Sequence, residues 1–351
     1  MTTVATTKTT LSSLTGGELP RWTPWAVLAA AQALGLVVLG TANLAGAIVS
    51  GVVLYLVTIA ALSGVVEGRR KATDRLVTSL VVAAFVIATV PLVSVTWTAL
   101  SLGLRRFDAV FFTHSMAGVV GEGGGALHAI IGTLLITLAA TVISVPIGLM
   151  TSIYLVEYGR GPLARVITFF VDVMTGIPSI VAGLFAYALF SMMFGPGHRS
   201  GISGAVALSV LMIPVVVRSS EEMLRIVPNE LREAAYALGV PKWLTIVKVV
   251  LPTCIAGIMT GVVLAIARVI GETAPLLLTA GYIANMNYNL FADRMTTLPL
   301  FVFTTYRNSG GTDVTDLDRA WAGSLVLILI VLALNLAARL IARYFAPKTG
   351  R

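Results

Sequence analysis

"PNELREAAYALGVPKWLTIVKVVLP", residues 228–252, is a polar island in an otherwise apolar chain. Asn229 predicts an N-cap for a helix beginning at Glu230. Gly239 is placed to end that helix in the left-handed conformation. Pro241 suits the first turn of a second short helix, and Pro252 marks the entry to the next apolar run. The stretch therefore predicts two short helices bent at Gly239 and lying against a membrane surface. Leu231, Ala235 and Leu238 share one face of the first, with Ala234 beside them. Such a face suits either lipid or a docking protein. The short helix, small apolar face and charges of mixed sign favour the protein.

Outward from this island the chain is membrane. Hydrophobic residues make up 57% of the 351 and charged residues 11%, where a soluble domain is about half apolar and about a quarter charged. Apolar runs long enough to cross roughly 30 Å of hydrocarbon recur down the sequence. Eight spans are expected, at about 25–45, 47–66, 76–100, 128–156, 166–194, 202–218, 255–282 and 320–342. The first two, joined between Asn43 and Ser50, predict a helical hairpin. The Thr-rich residues 2–15 predict a disordered cytoplasmic tail. Without the basic start of a signal peptide, the first span is expected to be retained.

With the N-terminus inside, 17 basic residues fall on inner segments and 6 on outer ones, leaving Arg268 in the membrane. This asymmetry predicts both termini in the cytoplasm, and it accounts for the net charge of +8 without nucleic acid. The single cysteine, Cys254, excludes an internal disulfide and is expected to be buried and inert. His114, His128 and His198 are too widely spaced for a metal site. Gly123–Gly125 lack the Lys-Ser/Thr of a phosphate loop, so no nucleotide-hydrolysing motif is present. Paired catalytic carboxylates and a nucleophile elbow are also missing, which argues against a membrane-embedded enzyme.

In "GVVLAIARVIGETAPLLLTAGY", residues 261–282, Arg268 and Glu272 interrupt the apolar run at helical spacing. An arginine at the bilayer centre costs about 2.5–3.5 kcal/mol on insertion scales. A guanidinium stays charged and offers planar paired donors to an oxyanion. Arg268 is therefore the candidate anion donor of a translocation path. Glu272 would hold it between cargoes and Thr273 would add a hydroxyl. An ion pair that only fastens two helices is the alternative. Arg218 is expected at the inner mouth of the sixth span, as a receiving cation or a positive-inside anchor. Asp172 reads as a helix–helix contact, and Gly257 with Gly261 as a close-packing pair.

Glu233-Ala234-Ala235, Gly239 and Leu251-Pro252 resemble the EAA motif of ABC-importer permeases at matching spacing, with Val249 where isoleucine is usual. "SVPIGLMTSIYLVEYG" (144–159), "TGIPSIVAGLFAY" (175–187), "VVRSSEEMLRIVPNELREAAYALG" (216–239) and "ARVIGETAPLLLTA" (267–280) further resemble the A-type permeases of phosphate importers, PstA. The resemblance covers about 76–351. It implies an all-α type I permease core of six helices at 76–351, with a coupling loop at 219–254. Residues 1–75, the tail and extra hairpin, fall outside that core. It also implies that Glu233, Ala234, Ala235, Gly239, Leu251 and Pro252 couple to an ATPase. The expected partners are a C-type permease, two ATPase copies that bind the ATP, and an extracytoplasmic phosphate-binding protein. No cofactor is expected in this chain. Outer loops 101–127 and 284–318 would meet the binding protein. Another oxyanion, or a stand-alone ion-coupled transporter, are the alternatives; the second leaves 228–252 unexplained.

Overall fold

The structure, a computed structural model, describes residues 17–39, 44–310 and 313–345. The Thr-rich tail, the hairpin turn at Asn43, Lys348 and Arg351 lie outside these residues. Among the described residues every regular element is a helix. The chain divides into two compact units, Met1–Thr96 and Trp97–Arg351.

The first unit contains α1 (Thr23–Leu39), α2 (Leu44–Val66) and most of α3 (Arg69–Gly103). The hairpin is present, with α1 packed on α2. Glycine permits the close approach: a Cβ on Gly35 would stand 2.5 Å from the Ala47 carbonyl, and one on Gly51 2.6 Å from Gln32 Oε1. At the α2–α3 turn, Glu67 accepts from Arg75 Nε (2.6 Å) and Nη2 (2.7 Å), from Ser63 Oγ (2.6 Å) and from the Leu19 amide (2.9 Å). The expected boundary at 75/76 falls inside α3, which runs without a break past Pro91.

The second unit continues with a 3-10 turn (Leu104–Arg106), α4 (Ala109–Thr113), α5 (Leu127–Ile153), α6 (Pro162–Thr175), α7 (Ser179–Phe194) and α8 (Gly201–Ile226). Then come α9 (Asn229–Ala237), α10 (Lys242–Thr245), α11 (Leu251–Val269), α12 (Ala274–Thr279), α13 (Leu298–Asn308) and α14 (Val314–Phe345). The main core joins α5, α8, α11 and α12 through Ile136, Leu208, Met212, Val216, Ile258, Val262 and Leu276. Small residues set the α5–α8 distance: Ala140, Ser144 and Gly148 are buried in the seam, and a Cβ on Gly148 would meet Val216 at 2.7 Å. Cys254 is buried, its Sγ against the Val250 carbonyl at 3.2 Å.

Six described helical rods are long and apolar enough to cross a membrane, and the 17-residue α1 is a shorter apolar helix. Two expected spans need correction. The run 166–194 is a broken pair, α6 and α7, bent by 109°. Pro178 has no N–H to give and its ring excludes the carbonyl four residues back, so the helix ends at Thr175. The run 255–282 also breaks: α11 stops at Val269 and α12 starts at Ala274. Pro275 is again the cause, because the carbonyl it excludes is that of Gly271.

The second short helix expected after Gly239 is not separate either. α10, a π turn (Ile246–Val250) and α11 form one rod, Lys242–Val269. The turn widens to i→i+5 bonding, Leu251 N–H to Ile246 C=O, just before Pro252, which cannot donate. A second π turn, Tyr154–Tyr158, ends α5.

The region 284–318, expected to be an outer loop, contains α13 and an irregular strap that is buried at Met295–Thr297. Phe301 of α13 packs with Phe111, Ala129 and Ala322. The strap lies on α5 where Gly132 has no side chain, against Thr296 O. Its polar backbone is satisfied: the Leu298 amide donates to Thr133 Oγ1 (2.7 Å), and Thr296 Oγ1 bridges the Ile283 amide and carbonyl at 2.7 Å each.

Candidate functional site

The breaks at α6–α7 and α11–α12 meet at one cavity. About 210 Å³ in volume, it is lined by Met174, Thr175, Ile177 and Ser179 from the first break, Leu211, Pro214 and Val215 of α8, and Arg268, Val269 and Glu272. The breaks are held together by contact between α7 and α12, where Gly183 leaves only 2.6 Å between a would-be Cβ and Pro275 Cα.

Arg268 is on the last turn of α11 and is exposed on this single chain. Its guanidinium has no hydrogen-bond or ion-pair partner among the described residues. The i, i+4 pairing with Glu272 expected from the sequence does not form. Glu272 lies beyond the helix end, in a turn where its amide donates to Val269 C=O at 3.1 Å. Both side chains nevertheless line the cavity. Thr273 precedes α12 and is not among the lining residues. The Ser179 hydroxyl has no protein partner among the described residues, and the first amides of α7 leave their helix at the same place. The cavity thus combines an uncompensated guanidinium, a hydroxyl and the positive end of a 16-residue helix. That is a donor set for an oxyanion, with one carboxylate opposing it.

Arg218 does not line this cavity. α8 runs on to Ile226, so Arg218 lies inside the helix, two turns before its end. It pairs with Asp172 of α6, and its Nη1 donates to Glu221 at 2.8 Å. Glu221 is buried and also takes Arg225 Nη2 at 2.7 Å. Arg218 therefore pins α6 to α8, and Asp172 makes its helix–helix contact there.

At 228–252, α9 starts at Asn229, one residue earlier than expected, and Asn229 does not cap it. Gly239 does end it, with φ of 78°. The Gly239 amide donates to Tyr236 C=O (2.9 Å) and the Val240 amide to Ala235 C=O (3.1 Å), the paired bonds of a Schellman close. Glu233, Ala234, Leu231 and Leu238 are exposed, Leu238 at 84%. Ala235 is turned inward and buried, so its small size serves the turn's own packing. Leu251 and Pro252 lie in the first turn of α11.

One cluster escaped the sequence reading. Arg232 of α9 donates from Nε and Nη2 to Glu157 Oε1, at 3.0 and 2.9 Å. Both side chains are nearly dry, 12% and 5% exposed. A lone Glu at the end of an apolar run was the available signal, but its partner is 75 residues away.

The family described as "Binding-protein-dependent transport system inner membrane component" matches residues 144–351. Over 286 residues the chain is 46% identical to the phosphate transport system permease protein PstA 1 of Mycobacterium tuberculosis, covering 81% of this chain and 91% of that one. The chain belongs to the PstA family of phosphate-transport permeases. The PstA of Yersinia pestis is 40% identical over 281 residues, covering 80% of this permease and 92% of that one. Among solved structures, the permease is similar to a chain of a bacterial alginate ABC transporter complexed with its pentasaccharide-bound periplasmic protein. That match has a TM-score of 0.50 at 14% identity and covers 79% of this chain and 99% of the other. The likeness bears on the fold alone, which is that of an ABC-importer permease, a multi-pass inner-membrane component.

Proposed function

We propose that this permease forms half of the pore of an ATP-driven importer of inorganic phosphate. The observation that carries the reading is Arg268, a guanidinium without a protein partner at the meeting point of two broken helices, in a chain 46% identical to a phosphate-transport permease. Phosphate near neutral pH is a mono- and dianion and cannot cross hydrocarbon unaided. Arg268 and the α7 terminus offer it charge-assisted hydrogen bonds in a site of low dielectric. Glu272 weakens the site enough for release and can accept from a phosphate hydroxyl. Exposure of Arg268 on the single chain fits a path closed by a second half, a C-type permease.

The remaining machinery lies in partners. The exposed α9 face, with Leu231, Ala234 and Leu238, is suited to dock an ATPase subunit, one of two that would bind the ATP; this chain needs no cofactor of its own. An extracytoplasmic phosphate-binding protein would deliver cargo to the face opposite the 228–252 loop. Both termini lie in the cytoplasm on this reading, as the basic residues favour. The hairpin at 1–75 is an addition to a permease core at 76–351.

The test is uptake of radiolabelled phosphate, with sulfate as competitor, in cells lacking their own high-affinity system and supplied with this chain and its neighbouring subunits. Uptake that resists sulfate and vanishes in Arg268→Gln at equal membrane levels is expected. Intact uptake in Arg268→Gln would remove Arg268 from the path. Uptake of sulfate instead of phosphate would reassign the cargo.

A further inference from the structure

The 228–252 loop is gripped by the end of α5. Besides its two bonds to Glu157 Oε1, Arg232 donates to the carbonyls of Leu224 (3.0 Å) and Val227 (2.6 Å) at the end of α8. Longer bonds reach Pro228 C=O and Asn229 Oδ1, at 3.4 and 3.3 Å. From the other side, Lys242 of α10 donates to the backbone carbonyl of Glu157 and lies 4.7 Å from the centroid of the Tyr158 ring. One π turn is thus held by both arms of the loop, α9 through its Glu157 side chain and α10 through its backbone. Such turns interrupt the regular bonding ladder and tend to be found at functional places.

A dry ion pair is a poor device for stability, since its desolvation offsets most of its attraction, but it fixes register strictly. The register fixed here is between the proposed docking face of α9 and α5, the helix packed along α8. α8 supplies Leu211, Pro214 and Val215 to the cavity wall. Along the chain the loop reaches the cavity at both ends, back through Val227–Pro228 into α8 and forward through the rod Lys242–Val269 to Arg268.

We infer that Glu157 is a positioning residue for energy coupling: by holding Arg232 it braces the Val227–Pro228 joint between α8 and α9, so that α5 and the α8 wall move with the loop and both sides of the cavity rearrange together. With this pair broken, the two-residue joint Val227–Pro228 between α8 and α9 loses its brace, and a push on α9 would bend the joint instead of carrying α5 and α8 with it. The inference rests on 228–252 docking the ATPase.

The experiment uses the whole complex in proteoliposomes, with three readouts: retention of the ATPase subunit, ATP hydrolysis, and phosphate transported per ATP. Glu157→Gln is expected to keep the subunit and its hydrolysis while phosphate per ATP falls about tenfold or more, within the range of known coupling factors. Arg232→Lys keeps the charge but gives up the fork, and is expected to lower the ratio less with assembly intact. It remains decisive if Glu157→Gln fails to insert into the membrane. A wild-type ratio in both variants, or loss of the ATPase subunit from an otherwise inserted Glu157→Gln, would overturn the inference. Gly239→Leu separates the premise: wild-type affinity for the ATPase in that variant defeats the docking reading itself. Its loss there, with a wild-type ratio in Glu157→Gln, defeats only the role of Glu157.

Discussion

Gly239 gives the sharpest test of the docking loop. Its φ of 78° lies in the left-handed region, yet a Cβ added there would meet no atom within 4 Å. In this chain the glycine is therefore required by backbone conformation and not by space. An L-residue held there costs about 1–2 kcal/mol, which corresponds to a factor of about 5–30 in an equilibrium. Gly239→Ala should weaken binding of the ATPase subunit by up to that factor and no more. Asparagine tolerates the left-handed region, so Gly239→Asn should weaken it by less than about threefold, although its side chain is larger. The assay is a titration of the purified ATPase subunit against the permease pair in nanodiscs, with equal reconstitution of each variant. If Asn were as damaging as Ala, or more so, the backbone argument would fail; the glycine would then be needed for space against the docked partner.

Three further outcomes are expected. Gly183→Val should force α7 and α12 apart by about 1 Å, an overpacking cost of about 1–3 kcal/mol, seen as a lower Tm and lost phosphate uptake. Thr133→Val leaves the buried Leu298 amide without its acceptor, at a cost of about 1–3 kcal/mol, measurable by thermal unfolding in detergent. At Glu67, the fork from Arg75, with Ser63 and the Leu19 amide, holds the carboxyl down from 4.5 to about 2. A depressed carboxyl stabilises fully above pH 4.5 and loses that contribution as pH falls towards 2. The infrared carboxylate band absent from Glu67→Gln should accordingly survive at about pH 3.5; titration near 4.5 would contradict the bonding described.

Apolar runs, turn residues and the Gly239 bend were legible in the sequence because each is a local preference summed over neighbours. The reading failed where one proline acts backwards. Pro178 and Pro275 sit inside apolar runs that look continuous, but each forbids the carbonyl four residues earlier, and both helices end within two residues of that carbonyl. The supposed helical pair Arg268–Glu272 was lost for that reason, although both residues still line one cavity. The ion pairs of Arg218 were not foreseen because α8 stays helical past the charged residues that seemed to end it. Its partners, Asp172 and Glu221, satisfy the charges within the helix pair. The Glu157–Arg232 pair depends on a contact 75 residues apart, which no local pattern encodes.

The bend between α6 and α7 also bears on how the chain enters the membrane during synthesis. The helices have 14 and 16 residues, each short of the roughly 20 that a span needs. α6 leaves the ribosome first and, with Arg165, Thr168, Asp172 and Thr175 along one face, is suited to the bilayer surface. Insertion is therefore expected to wait for the more uniformly apolar α7, the two entering as one unit bent at Gly176–Pro178. A reporter fused after Thr175 should stay on the side where α6 began, and one fused after Phe194 should cross.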